Sequence, residues 1–202
     1  MILLRKNRTG ACRYRKTRIL FMGEANSETV KEGKEKIFYG TVPEEGRKMK
    51  RVSDSLTEAS RLIIPADLNS SGRLFGGRLL EWLDEMAGIV AKRHAECSVV
   101  TAAIDNLHFK EGATVSDTIF MRGYVTWVGR SSMEVRVDTF AEKLTGIRVL
   151  INRAYFVMVG LDENTSPHLV PGLIVEGPNE EMEWESGKRR QALRKQRERE
   201  GF

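Results

Sequence analysis

The turns after residue 94 limit this fold more than any other feature. The run from Gly77 to about His94 is apolar at helical spacing. After it come four extended segments, 98–109, 118–129, 133–142 and 147–161, separated only by "KEGATVSD", "RSS" and "KLTG". A parallel crossover needs a dozen residues or more, so these turns force neighbouring strands to run antiparallel. In "MEVRVDTFAE", Met133, Val135 and Val137 alternate with Glu134, Arg136 and Asp138, the period of a half-buried strand. In 98–109 the candidate inward residues are Val100, Ala102, Ile104 and Leu107. Upstream, "SDSLTEASRLIIP" reads as one more strand ended by Pro65, and "ADLNSSGRLFGG" as a loop. One helix against an antiparallel meander makes an α+β domain.

Three parts are expected: a basic leader and polar linker over 1–51, the folded domain over 52–172, and a charged, helical tail over 173–202. A chain of 202 residues suffices for one domain with a real core and is short for two. The net charge of +5 hints at nucleic acid, but residues 1–22 hold seven Lys/Arg and no acid, leaving the rest at −2. Nucleic acid is therefore not the expected partner. Residues 1–22 read as a basic arm, a leader, or a start placed ahead of a true initiator at Met22; they lack the apolar core of a secretory signal. No apolar stretch is long enough for a membrane span. Cys12 and Cys97 form no disulfide framework, and His94, His108 and His168 no metal spacing, so a reducing, cytoplasmic setting without a metal is expected. In the tail, acids precede bases and Met182, Trp184 and Leu193 are its few apolar residues, which predicts a solvated helix.

On a helical wheel, Leu79, Leu83, Met86 and Val90 form a stripe suited to a sheet. Glu81, Glu85 and Lys92 mark a polar side. Leu80, Asp84, Ala87 and Ala91 make a third stripe, where a buried acid would have only small side chains beside it and space for a ligand. Burying a carboxylate is costly, which points to chemistry, although an acid satisfied by amides or facing solvent fits the same pattern. Gly76 and Gly77 stand where the helix begins. Exposed amides there bind anions and polarise carbonyls, and glycine permits close approach. Amides for an oxyanion and an acid two turns on suit acyl transfer. No G-x-S-x-G elbow surrounds Ser71 or Ser131, which argues against a serine triad.

The segment "PADLNSSGRLFGGRLLEWLDEMAGIVAKRHAECSVVTAAIDNLHF", with "GRSSMEVRV" at 129–137, resembles the hotdog-fold acyl-CoA thioesterases of the YciA-like and long-chain acyl-CoA hydrolase type. The shared pattern is an asparagine, a phenylalanine-glycine-glycine turn, and an aspartate seven residues after the second glycine. The resemblance spans about 52–172 and implies a long central helix wrapped by an antiparallel β-sheet. It also implies a homodimer whose sheets join and sites at the dimer interface; the family often assembles further, into tetramers or hexamers, which the sequence does not decide for this chain. Asp84 then matches the catalytic acid, as general base or nucleophile. Asn69 matches the residue from the facing subunit that positions water or thioester. An amide near Gly77 would polarise the carbonyl, and Thr101 sits where the family keeps a threonine near the acid. Gly76, with Arg130, Ser131 and Ser132 of the "GRSS" turn, would meet coenzyme A, with Arg93 and Lys110 as further candidates. Coenzyme A enters only as part of substrate and product, with no other cofactor. The alternative is a hotdog protein that binds acyl-CoA without turnover as a regulator; residues 1–51 show no helix-turn-helix for such a role.

Overall fold

The first glycine pair of the chain starts a helix because nothing upstream can continue one. Asn69, Gly72 and Phe75 hold the preceding loop in hydrogen bonds to Arg73, Asn69 and Asp67, and Leu79 N then makes the first helical bond, to Phe75 O. The computed structural model describes residues 28–32, 35–39 and 45–201. The basic arm and Met22 lie outside the described residues. The elements are β1 (Glu28–Glu32), β2 (Glu35–Tyr39), β3 (Met49–Arg51), β4 (Thr57–Leu62), α1 (Gly76–Ala95), β5 (Ser98–Phe109), β6 (Thr118–Val128), β7 (Ser132–Glu142), β8 (Arg148–Leu161), β9 (Gly172–Val175) and α2 (Pro178–Glu200).

Strands β4-β6-β7-β8-β5 form a five-stranded sheet in that order, antiparallel throughout. It wraps α1, giving the hotdog architecture implied by the motifs. Leu79, Leu83, Met86 and Val90 are all buried, as the wheel predicts. Gly123 lets the helix lie close: a Cβ there would stand 3.0 Å from Val90 Cγ2. A second sheet, β1-β2-β9-β3, pairs the N-terminal segment with the exit strand, β3 running parallel to β9.

The structure corrects several expectations. The strand read from Ser53 to Pro65 is shorter, because Val52–Ser55 is a 3-10 turn held by Ser55 Oγ on Val52 O and by Asp54 on the Arg51 amide. The strand then runs only over Thr57–Leu62. The inward phase of β5 is wrong for three of its four residues. Val100, Ala102 and Ile104 are exposed, while Val99 and Leu107 pack on the core. Two register breaks against β8, between Thr101 and Ala103 and between Asp105 and His108, upset the simple alternation.

The tail is helical but not a solvated rod. Trp184 is buried and stacks on Trp127 with ring centroids 6.0 Å apart. Gly187 fits where any Cβ would come within 2.7 Å of Trp127 Cβ. Thus α2 lies on the outer face of the sheet, where Glu134 and Asp138 were expected to meet water; both are buried instead. Charges compensate for the scarce apolar contacts. Arg190 and Arg194 take the Glu134 carboxylate at 2.8 and 3.2 Å, and Thr126 Oγ1 donates to it at 2.9 Å. Glu183 of α2 meets Arg136, which with Arg153 holds Asp138 at 2.6 Å each. A buried carboxylate is tolerated because every oxygen has a charged donor.

Candidate active site

Asp84 sits midway along α1 and Thr101 near the start of β5. The α1–β5 connection turns at Glu96, in the left-handed conformation with φ 57°. This sends β5 back along the helix until Phe109 reaches Gly76. The reversal brings Thr101 Oγ1 to 2.6 Å from Asp84 Oδ1, and the hydroxyl donates. The carboxylate is exposed rather than buried among leucines, because Ala87 and Ala91, the small residues expected to leave space beside it, are packed wholly into the core. Helix and sheet close on the alanines and leave the acid on the open surface, next to the exposed Val100, Ala102 and Ile104 of β5.

No side chain caps the start of α1. The amides of Gly76, Gly77 and Arg78 precede the first helical bond and project from the helix end. The Phe109 ring lies over Gly76 and the Phe75 ring over Gly77, where a Cβ would meet Phe75 Cε1 at 2.5 Å. Both rings are half exposed; Phe75 is the phenylalanine of the glycine-glycine turn, whereas no feature of the sequence marked Phe109. Beside them lies an open cleft of about 390 Å³ lined by Asn69, Arg73, Gly76, Phe109, Lys110 and Ile151 among others. The Asn69 side-chain oxygen accepts from the amides of Ser71 and Arg73, so the asparagine shapes its own loop.

The chain therefore gathers Asn69, Gly76 and Lys110 in one place and Asp84 with Thr101 in another. Seven residues of helix separate Gly77 from Asp84, about 10 Å along the axis at 1.5 Å per residue. One thioester carbonyl cannot touch both within hydrogen-bond reach. The Gly129–Ser132 turn lies elsewhere again. Ser132 pairs with Val159 and Ser98 with Leu161, which places the turn by the C-terminal end of α1. There Gly129 N donates to Ser132 O, and Arg47 donates to Gly129 O and Val170 O, bracing the turn against the exit loop. Arg93 is occupied near that end too, donating to Thr57 Oγ1 at 2.8 Å and to Leu56 O. His94 is buried, with Nε2 on Pro171 O at 3.0 Å, and desolvation lowers its pKa to about 4. Among the described residues no His/Cys/Asp/Glu group is arranged to hold a metal, and no helix is long and apolar enough to cross a membrane.

Residues 71–147 match the family pattern of the thioesterase superfamily. The chain is 38% identical over 138 residues to the uncharacterized acyl-CoA thioester hydrolase YkhA of Bacillus subtilis, covering 68% of this chain and 80% of that one. It is 32% identical over 142 residues to the mouse cytosolic acyl coenzyme A thioester hydrolase, of whose length it spans 37%. A solved apo-hexameric acyl-CoA thioesterase superposes with a TM-score of 0.72 at 39% identity, over 74% of this chain and 97% of that one. A coenzyme A complex of a Staphylococcus aureus acyl-CoA hydrolase, an asparagine-to-alanine variant, gives 0.73 at 32% identity, over 77% and 93%. Aspartate-to-alanine and threonine-to-alanine variants of that hydrolase superpose equally well.

Proposed function

The chain belongs to the hotdog-fold acyl-CoA thioesterases, and on that premise we propose that it hydrolyses fatty acyl-CoA to fatty acid and coenzyme A at a site shared by two copies. The observation that carries this reading is the Thr101–Asp84 hydrogen bond on an open, apolar surface. The acid is oriented but uncovered, and the amides that would hold a carbonyl stand about 10 Å away on the same helix.

A second copy resolves both difficulties. β5 is an edge strand carrying exposed Val100 and Ile104 next to the acid. Such an edge invites pairing with another chain. Two β5 strands paired antiparallel about a two-fold axis reverse direction, so the Gly76 end of one α1 approaches the Asp84 side of the other. Asn69 and the Gly77 amide of the facing copy would then hold the thioester carbonyl and the water. The Arg130–Ser132 turn would take the coenzyme A phosphates, with Gly76 and Lys110 lining the approach. Closing the interface would exclude bulk water from the site. In the S. aureus hydrolase, the asparagine, aspartate and threonine that were varied are separated by 15 and 17 residues, the spacings between Asn69, Asp84 and Thr101. That agreement supports the same three roles here.

As general base, Asp84 takes a proton from water as its oxygen attacks the thioester carbonyl. The tetrahedral oxyanion forms against the helix-start amide and collapses with loss of the coenzyme A thiolate, which takes up the proton. As nucleophile, Asp84 attacks the thioester carbonyl and forms an acyl anhydride as the coenzyme A thiolate leaves; water then opens the anhydride, its protons going to the thiolate and the solvent, to return the carboxylate and the free fatty acid. Coenzyme A is substrate and product, and the reaction as proposed needs no further cofactor. The proposal places the reaction in the cytoplasm, in keeping with the cysteine usage, with a homodimer as the least assembly that completes a site and hexamers, as in a solved neighbour, built from it.

The test is free-thiol release from short- to long-chain acyl-CoAs by wild type and Asp84→Ala. Loss of turnover by about a hundredfold or more in a folded, dimeric variant supports the assignment. Full turnover in the variant refutes it, and tight binding without release by wild type returns the chain to a regulatory role. A single turnover in labelled water separates the two mechanisms: label in the Asp84 carboxylate marks the anhydride.

A further inference from the structure

We infer that the C-terminal helix α2 positions the strand that carries Thr101, acting through Asp105; the inference rests on the proposed roles of Asp84 and Thr101. Strand β5 has a neighbour on only one side within the chain, and its pairing with β8 is interrupted on both sides of Asp105. Interrupted ladders lose hydrogen bonds, and an edge strand with two interruptions frays easily.

The helix reaches this weak point with two guanidinium groups. Arg194 Nη1 stands 2.6 Å from Asp105 Oδ2 and Arg197 Nη2 stands 3.0 Å from Oδ1. Each carboxylate oxygen has its own arginine, so the strand cannot slip by a residue without losing one of them. Arg194 is fixed in turn by Glu134 of β7, at 3.2 Å, whose side chain is fully buried. A buried carboxylate holds its cations tightly, because releasing one leaves an uncompensated charge.

The path then runs four residues along β5, from Asp105 to Thr101, about 13 Å at 3.3 Å per residue. It ends at the hydroxyl that orients Asp84. Asp105 touches no reacting group in this arrangement. It is a positioning residue, and α2 is a brace for the catalytic strand from the sheet face opposite α1.

The experiment uses the full chain with Asp105→Asn, which keeps shape and removes charge, and Asp105→Glu, which restores the charge. The expected result for Asp105→Asn is a kcat lower by about tenfold with KM changed less than about twofold. Amide exchange over 98–109 should quicken while α1 keeps its protection, and Asp105→Glu should recover most of both. Should Asp105→Asn not accumulate as folded protein, Arg197→Gln removes one contact at an exposed position and is read the same way. Wild-type kcat in the variant, or a loss of kcat without faster exchange in β5, overturns the inference. Full activity in Asp84→Ala would refute the proposed catalytic acid, while the exchange comparison would still decide whether Asp105 holds β5.

Discussion

Thr101 Oγ1 donates to Asp84 Oδ1 at 2.6 Å, joining the middle of α1 to the first third of β5. The two residues lie on the exposed side of the chain, so the bond orients a carboxylate that the core does not enclose. Removing the hydroxyl should therefore affect turnover far more than folding. Thr101→Val should lower kcat by about tenfold and shift stability by less than about 0.5 kcal/mol, as for other surface sites. Thr101→Ser should recover the rate. Thiol release and a thermal melt on the three proteins check this.

At the start of α1, Gly77→Ala should likewise separate activity from stability. Alanine is a better helix former than glycine by about 1 kcal/mol. The added Cβ, however, would sit 2.5 Å from the Phe75 ring. That ring is 56% exposed and can swing aside, so stability should hold or rise slightly. The displaced ring would crowd the amides proposed to bind the carbonyl. Activity should drop, and the double variant Phe75→Ala/Gly77→Ala should regain part of it, as acyl-CoA kinetics would show.

Gly187→Ala should destabilise the protein even though it lies in a helix. The gain in helix propensity is about 1 kcal/mol. Against it, the Cβ would stand 2.7 Å from Trp127 Cβ and 3.0 Å from Glu134 Oε1, inside a packed interface. Overpacking of that kind costs about 1–3 kcal/mol, so the net change should be a loss. Denaturant unfolding followed by tryptophan fluorescence reports it, since Trp127 and Trp184 stack there.

Stability should fall in mild acid because of His94. Burial holds its pKa at about 4, against 6.5 in the open chain. Between those values the unfolded chain binds a proton that the native state refuses, so stability rises with pH across this window. The contribution is fully present above about pH 6.5 and fades as pH falls towards 4, amounting to about 3 kcal/mol. His94→Gln should flatten that slope, as urea midpoints between pH 7 and 4.5 would show.

Local rules predict the meander, the limits of α1, and its Leu79–Leu83–Met86–Val90 stripe. Each rests on neighbours in sequence: turns too short for a crossover, and apolar residues at helical spacing. Asp84 stands out by its place on the helix wheel, whereas Asn69 and Thr101 come from the resemblance to the thioesterases and not from these rules. Other features depend on what meets what. The phase of β5 shifts because its register with β8 breaks, which no alternation rule sees. The docking of α2 rests on Arg190, Arg194 and Arg197, spaced to share one helix face, finding acids more than fifty residues away. Their spacing is visible in the chain, but their partners are not, because a charge binds whichever opposite charge the fold brings near. The exposure of Asp84 was decided the same way: helix and sheet close over Ala87 and Ala91, and the acid beside them stays on the open surface of the chain.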